Sequence, residues 1–347
     1  MSLSAGKYWN LKNMADDSGR FCMLAVDQRP PIKNLCAERR GESTPRFSDI
    51  QAVKRQLITE LSQHATAVLA DPTYSLCDAM QILSPQHGLI VTLEDSLFES
   101  IPGGRVSGSI DNWSVSKIKR VGGNAVKVLI WYRPDQSQST RQKQYDYAKQ
   151  IGEACEKHDI PFLLELLVYP LEGEKNQTMD YVEQVGKQAD HVIQSVVDFS
   201  GPEFGVDVFK LESPLPAAAV PDPTTESKLV EECSAYYKAL AEASGRPWMM
   251  LSAGASKADF KNVLHFAYEA GASGFLAGRS IWWDDFQAFP DMDAMRTGLA
   301  TNATQYMQEL NSITVKSATP WHEHALYKGD AGPSGHDIEN FPERYSD

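Results

Sequence analysis

The sequence predicts an α/β fold, a closed (β/α)8 TIM barrel, on three observations. Eight short apolar runs recur along the chain, helix-period segments separate them, and a length of 347 residues fits one such barrel. An open doubly wound sheet would produce a similar alternation, and the count of eight favours closure.

The runs, in order, are FCMLAVD (21–27), TAVLAD (66–71), GLIVTLED (88–95), AVKVLIWY (125–132), PFLLELLVY (161–169), VFKLESP (208–214), WMMLSAG (248–254) and GFLAGRS (274–280). Each has the length of a buried parallel strand and leads into a polar loop. Between the first two, residues 49–64 carry Ile50, Val53, Leu57 and Leu61 at helical spacing. The link from 72 to 87 leaves room for only a short helix. Helices are expected near 139–157, 178–196, 224–243 and 286–310, and one over 256–271 opens on a Ser256 cap and stops at Gly271. The barrel is expected to occupy residues 1–312. From about residue 313 the composition shifts toward Gly, Pro and charge, which predicts a tail over 313–347, packed on the barrel or partly disordered.

Composition narrows the function. An apolar fraction of 42% with 23% charged residues describes a globular chain with a sizeable core, and no apolar run approaches the ~20 residues of a membrane span. The N-terminus has no apolar stretch of the signal-peptide kind, which predicts a cytoplasmic protein. A net charge of −13 argues against nucleic acid or an anionic membrane as partner, so an anionic ligand would need a locally basic site. Cys22, Cys36, Cys77, Cys155 and Cys233 are scattered with no C-x-x-C pair, as expected of reduced structural thiols. A homo-oligomer is compatible with all of this.

Parity then sorts the charges that interrupt the strands. Alternate residues of a barrel strand face inward, and active sites gather at the strands' carboxyl ends. On the sixth run Phe209 and Leu211 form a wholly apolar face, so Val208, Lys210 and Glu212 face the interior. The same reading projects Lys127 inward with Ala125 and Leu129, Glu165 between Leu163 and Leu167, and Asp27 at the end of the first run. Two ammoniums and three carboxylates thus converge. Burying charge is costly unless it is paired, so such a set either neutralises itself or serves chemistry.

A lysine amine walled by apolar side chains and placed beside a second ammonium becomes a nucleophile at neutral pH, which is the requirement for a Schiff base with a ketone or aldehyde. Lys210 fills that role in this reading, with Lys127 as the second ammonium. A carboxyl must then move protons, and Glu165 is placed for it. Glu212 is expected to pair with another cation or to sit nearer solvent. The seventh and eighth runs end in LSAGAS (251–256) and LAGRS (276–280), turns whose backbone amides can face a phosphate, with Arg279 adding charge. Glycines in such turns also serve tight turning alone. No G-x-G-x-x-G or G-x-x-x-x-G-K-[ST] pattern supports a nucleotide.

The ordered set LAVDQR (24–29), AVKVLIWYRPD (125–135), FLLELLVYP (162–170), DVFKLESP (207–214), MLSAGAS (250–256) and ASGFLAGRSIW (272–282) resembles the tagatose 1,6-bisphosphate aldolase family of class I, Schiff-base aldolases, over about residues 8–322. The resemblance implies a barrel in which Lys210 forms the Schiff base, Glu165 is the acid/base, and Lys127 and Asp27 assist. Gln28, Arg29, Ser252, Gly254, Gly278 and Arg279 are implied to hold the substrate and its phosphate, with no cofactor. The related sulfofructose phosphate aldolases share motifs of the LAVDQR and GFLAGR kind, which leaves the far end of the sugar, phosphate or sulfonate, undecided. Two rivals remain. A zinc-dependent aldolase needs converging ligands, and of the eight histidines only His322 and His324 lie close together, so no metal is expected. A non-catalytic sugar-phosphate-binding barrel would gain nothing from a desolvated amine.

Overall fold

The computed structural model describes residues 3–174, 183, 186–328 and 341–344. Its centre is a closed barrel of eight parallel strands in sequential order. They are β1 (Phe21–Ala25), β2 (Ala67–Ala70), β3 (Gly88–Thr92), β4 (Ala125–Trp131), β5 (Phe162–Leu167), β6 (Val208–Leu211), β7 (Trp248–Met250) and β8 (Gly274–Ala277). All eight coincide with the apolar runs.

The interior follows the predicted parity. Met23, Ala25, Ala67, Leu69, Ile90, Ala125, Leu163, Val208, Met249 and Leu276 pack into one buried cluster inside the barrel. Their strand neighbours, among them Leu24, Val68, Val126, Leu164, Phe209 and Phe275, join a separate cluster under the helices. This division is what period-two side-chain alternation imposes on a strand covered on both faces.

The helices agree less closely in their bounds. Phe47–Leu61, Gln138–Lys157, Lys228–Ser244 and Lys257–Glu269 answer the expected segments, and the link after β2 holds only Leu76–Ile82. The helix expected over 178–196 falls partly outside the described residues, and its described part runs Ala189–Phe199. The expected 286–310 helix is divided. A helix over Arg279–Phe286 starts directly at the end of β8, and a second begins at Met292, after Pro290, which cannot continue a helix, with the Asp291 side chain accepting from the Ala294 N–H. A π-type turn over Leu299–Ala303 leads into Thr304–Ser317, so helix crosses the expected boundary at 312.

Several elements were not anticipated, among them helices over Pro30–Arg40 and Val115–Arg120 and two further features. A helix over Ala5–Asn13 packs beneath the barrel, where Leu3, Leu11, Met14, Trp321 and Tyr327 join the interior cluster and close its amino-terminal end. Residues 321–327 of the expected tail are therefore packed on the barrel, whereas 329–340 and 345–347 lie outside the described residues. An antiparallel hairpin, Glu99–Ile101 with Gly104–Val106, stands beyond β3.

Candidate active site

The carboxyl ends of the strands enclose a pocket lined by Asp27, Gln28, Arg29, Glu94, Lys127, Glu165, Lys210, Ser252, Gly278 and Arg279 among others. Nine of the ten expected site residues line it. The tenth, Gly254, lies beside it against the Arg279 side chain, in the adjoining depression shared by Arg279 and Ser256.

Register explains the central contact. Glu165 of β5 and Lys210 of β6 are paired Cα positions, so their side chains leave the barrel wall together and Lys210 Nζ donates to Glu165 Oε2 at 2.9 Å. Lys127, one strand further on, lies 2.8 Å from the same oxygen. It also donates to Asp27 Oδ2 at 3.0 Å and to Glu94 Oε1 at 2.6 Å. Each of these five side chains is buried. Leu129, Trp131, Leu167 and Leu251 form an apolar wall above them.

The electrostatics follow from this packing. Burial alone would lower the affinity of Lys127 for its proton, but Asp27, Glu165 and Glu94 together raise its pKa well above the ordinary lysine value. Burial works against the ionised form of Glu165, yet Lys127 and Lys210 outweigh it and hold its pKa below the usual carboxylate value. Asp27 is likewise held down, against burial, by Lys127 and Lys210. Glu165 is thus an ionised carboxylate shared by the two lysines. The sequence picture of Lys127 pressing directly on Lys210 needs that correction, because a carboxylate stands between them.

Three inward carboxylates were expected, and three surround Lys127, but one is different. Glu212 does not face the pocket. Strand β6 ends at Leu211, and the Glu212 carboxylate accepts from the Val168 N–H at 2.7 Å and pairs with buried Lys187 at 3.0 Å. The expectation that it pairs with another cation holds. The third member is Glu94, which sequence reading passed over although it keeps the phase of Ile90 two turns of the pleat beyond. Its carboxylate also lies 3.9 Å from Arg29, whose guanidinium donates to the Glu94 carbonyl at 2.9 Å.

The β7 and β8 ends form compact turns. Ala253 and Gly254 have consecutive positive φ values of 53° and 82°, an uncommon conformation for alanine that turns the chain before Ser256 caps the helix over Lys257–Glu269. Gly278 has a different reason to be glycine. A Cβ there would meet the Ala25 carbonyl oxygen at 2.5 Å and the Gln28 side-chain nitrogen at 2.7 Å, so Gln28 approaches the backbone only because the position is bare. Beside the wall, the hairpin inserts Arg105 among Phe98, Trp131 and Tyr169, 4.0, 5.1 and 5.0 Å from their ring centres.

A lysine pair bridged by a carboxylate at the carboxyl mouth of a closed barrel defines the class of a barrel enzyme with amine and carboxylate chemistry. The comparisons make it specific. The profile described as DeoC/LacD family aldolase matches residues 21–284. The chain is 34% identical over 330 residues to a tagatose 1,6-diphosphate aldolase of Streptococcus pneumoniae, covering 93% of this chain and 99% of the relative. It is 32% identical over 328 residues to one of Lactococcus lactis, covering 92% and 99%. Among solved structures, a Schiff-base-forming fructose-1,6-bisphosphate aldolase superposes with a TM-score of 0.54 at 16% identity, over 89% of this chain and 99% of that one. A fructose-bisphosphate aldolase from Plasmodium falciparum does so with a TM-score of 0.63 at 12% identity, over 92% and 98%, and both likenesses concern the fold. This chain belongs to the DeoC/LacD aldolase family, and it is a lyase of the aldolase kind. Among the described residues no helix is long and apolar enough to cross a membrane.

Proposed function

We propose that this chain is a class I aldolase that reversibly cleaves a ketohexose bisphosphate of the tagatose 1,6-bisphosphate type to dihydroxyacetone phosphate and glyceraldehyde 3-phosphate through a Schiff base on Lys210. The single observation that carries the reading is Glu165 Oε2, held 2.9 Å from Lys210 Nζ and 2.8 Å from Lys127 Nζ inside the pocket. The names of the relatives supply the substrate type.

The arrangement supports each step. Ionised Glu165 takes a proton from the Lys210 ammonium along their hydrogen bond, leaving an amine that adds to the C2 carbonyl, whose oxygen gains a proton. Glu165 returns its proton to the carbinolamine hydroxyl, which leaves as water and gives the iminium. The C3–C4 bond breaks as Glu165, ionised again, takes the proton of the C4 hydroxyl, and the electron pair of the bond enters the iminium to form an enamine. The aldehyde departs, C3 is protonated, and water hydrolyses the iminium to release dihydroxyacetone phosphate. Lys127 anchors Asp27 and Glu165 around the reacting carbons. The turns bearing Ser252, Gly254, Gly278 and Arg279 receive one phosphate by backbone amides and a guanidinium, and Gln28 and Arg29 complete the substrate contacts. A sugar bisphosphate substrate implies a cytoplasmic location.

The test is triose phosphate release from tagatose, fructose, sorbose and psicose 1,6-bisphosphates and from sulfofructose 1-phosphate, in buffer containing EDTA. Release from a bisphosphate is expected. Release from the sulfosugar alone would change the substrate, and turnover restored only by zinc would overturn the mechanism.

A further inference from the structure

The charged cluster holds more acceptor capacity than its own members use. Lys127 engages Asp27 through Oδ2 and Glu94 through Oε1. The second oxygen of each carboxylate, Asp27 Oδ1 and Glu94 Oε2, is fully buried and has no hydrogen-bond partner among the described residues. Both residues line the pocket, and Glu94 is only 2% exposed. A buried carboxylate oxygen left unpaired is costly, so a protein that keeps two of them around one cation gains from them when something else fills the pocket. The complement of an ionised acceptor is a neutral donor without negative charge of its own, and a hydroxyl is the group that an open-chain sugar offers repeatedly.

We propose that Glu94 is a substrate-binding residue: Lys127 fixes its Oε1, and its Oε2 accepts a hydrogen bond from a hydroxyl of the sugar chain, beside the equivalent oxygen of Asp27. The proposal rests on the aldolase reading and adds a residue to it. The geometry gives Glu94 a second function at its backbone, since its carbonyl receives the Arg29 guanidinium at 2.9 Å and keeps that cation at the pocket wall. The side chain thus reads an uncharged hydroxyl of the substrate.

Glu94→Gln separates the two halves of the carboxylate. The amide oxygen can still accept from Lys127, whereas the amide nitrogen presents donors where an acceptor is needed. Cleavage of the preferred ketohexose bisphosphate by E94Q is expected to lose roughly 10- to 10²-fold in kcat/KM. At saturating dihydroxyacetone phosphate the borohydride-trapped adduct on Lys210 should form as in the unaltered protein, because reduction reports the Lys210 carbon–nitrogen bond and a weakened hydroxyl contact is offset by ligand concentration. In the unaltered protein, at least one of the 3-deoxy and 5-deoxy substrate analogues should lose a comparable factor, and E94Q should discriminate against it less. Unchanged kcat/KM in E94Q, or equal losses for E94Q on the parent and both deoxy sugars, would overturn the proposal. Loss of the adduct in E94Q alone would also overturn it, by making Glu94 a support of the site. Absence of the adduct from the unaltered protein would refute the aldolase mechanism itself.

Discussion

The two ends of the barrel each bury a lysine among carboxylates, and they do so to opposite effect. At the amino-terminal end Lys7 lies 3.1 Å from Asp207 and 2.8 Å from Glu156, and Asp207 also accepts from the Phe162 N–H at 2.8 Å. No side-chain atom of Lys7 or Asp207 is among the buried unpaired ones. Burial opposes the Lys7 charge, but its two carboxylates win and raise its pKa to about 12. That network ties the first helix to the floor of the barrel and is closed. At the carboxyl end the same ingredients leave two carboxylate oxygens without partners and a second lysine on a shared carboxylate. Buried ionic groups alone therefore do not mark an active site, and neither does a single unpaired carboxylate oxygen, since Asp78 Oδ2 and Asp285 Oδ2 are also buried without partners among the described residues. What sets the carboxyl end apart is that its two unpaired oxygens share one lysine and line a pocket with a second.

Substitutions at the two ends should separate activity from stability. The largest expected effect on activity is at the carboxyl end, where Glu165→Gln should lower turnover by roughly 10²–10⁴-fold in steady-state assays if it moves the protons, and unaltered turnover would make the upper network as structural as the lower one. At the amino-terminal end Asp207→Ala should cost about 1–3 kcal/mol in urea unfolding, because it leaves the Phe162 N–H without its acceptor and Lys7 with Glu156 alone, while kcat/KM of the remaining folded protein stays near its original value. Arg279→Ala should raise KM more than it lowers kcat, as expected when a remote phosphate contact binds ground and transition states alike. A fall in kcat alone would move Arg279 into the chemistry.

The smallest effect concerns pH at the lower end. His324, under the barrel, shares a hydrogen bond with Ser273 Oγ at 2.9 Å, and burial lowers its pKa from 6.5 to about 4. The unfolded chain takes up a proton below about 6.5 that the folded one refuses, so this contribution to stability is present above pH 6.5 and is lost as pH falls toward about 4. His324→Gln should flatten the melting temperature across that window, and an unchanged slope would assign the acid sensitivity to other groups.

The strands and the four pocket charges expected from them were legible because a barrel strand is covered on both faces, so a charge in phase with interior residues is directed to the pocket while the strand lasts. Asp27, Lys127, Glu165 and Lys210 follow that rule. Glu94 follows it too and was missed because it stands past the apolar part of its run, where it resembles the start of a loop. Glu212 keeps the same phase on paper, but the strand stops one residue before it and the backbone turns its carboxylate to Lys187. The first helix gave little signal because the side chains it buries are Lys7, Asn10 and Leu11, two of them polar. Strands of three residues, as in the hairpin that carries Arg105, are too short to show a period.

The central claim is that the nucleophile is Lys210 and not its neighbour across Glu165. Borohydride reduction in the presence of dihydroxyacetone phosphate, followed by peptide mass mapping, tests it most directly. A stable adduct should appear on the peptide that contains Lys210 and vanish in Lys210→Met. An adduct on Lys127 would exchange the roles of the two lysines, and cleavage without any adduct would contradict the Schiff-base account.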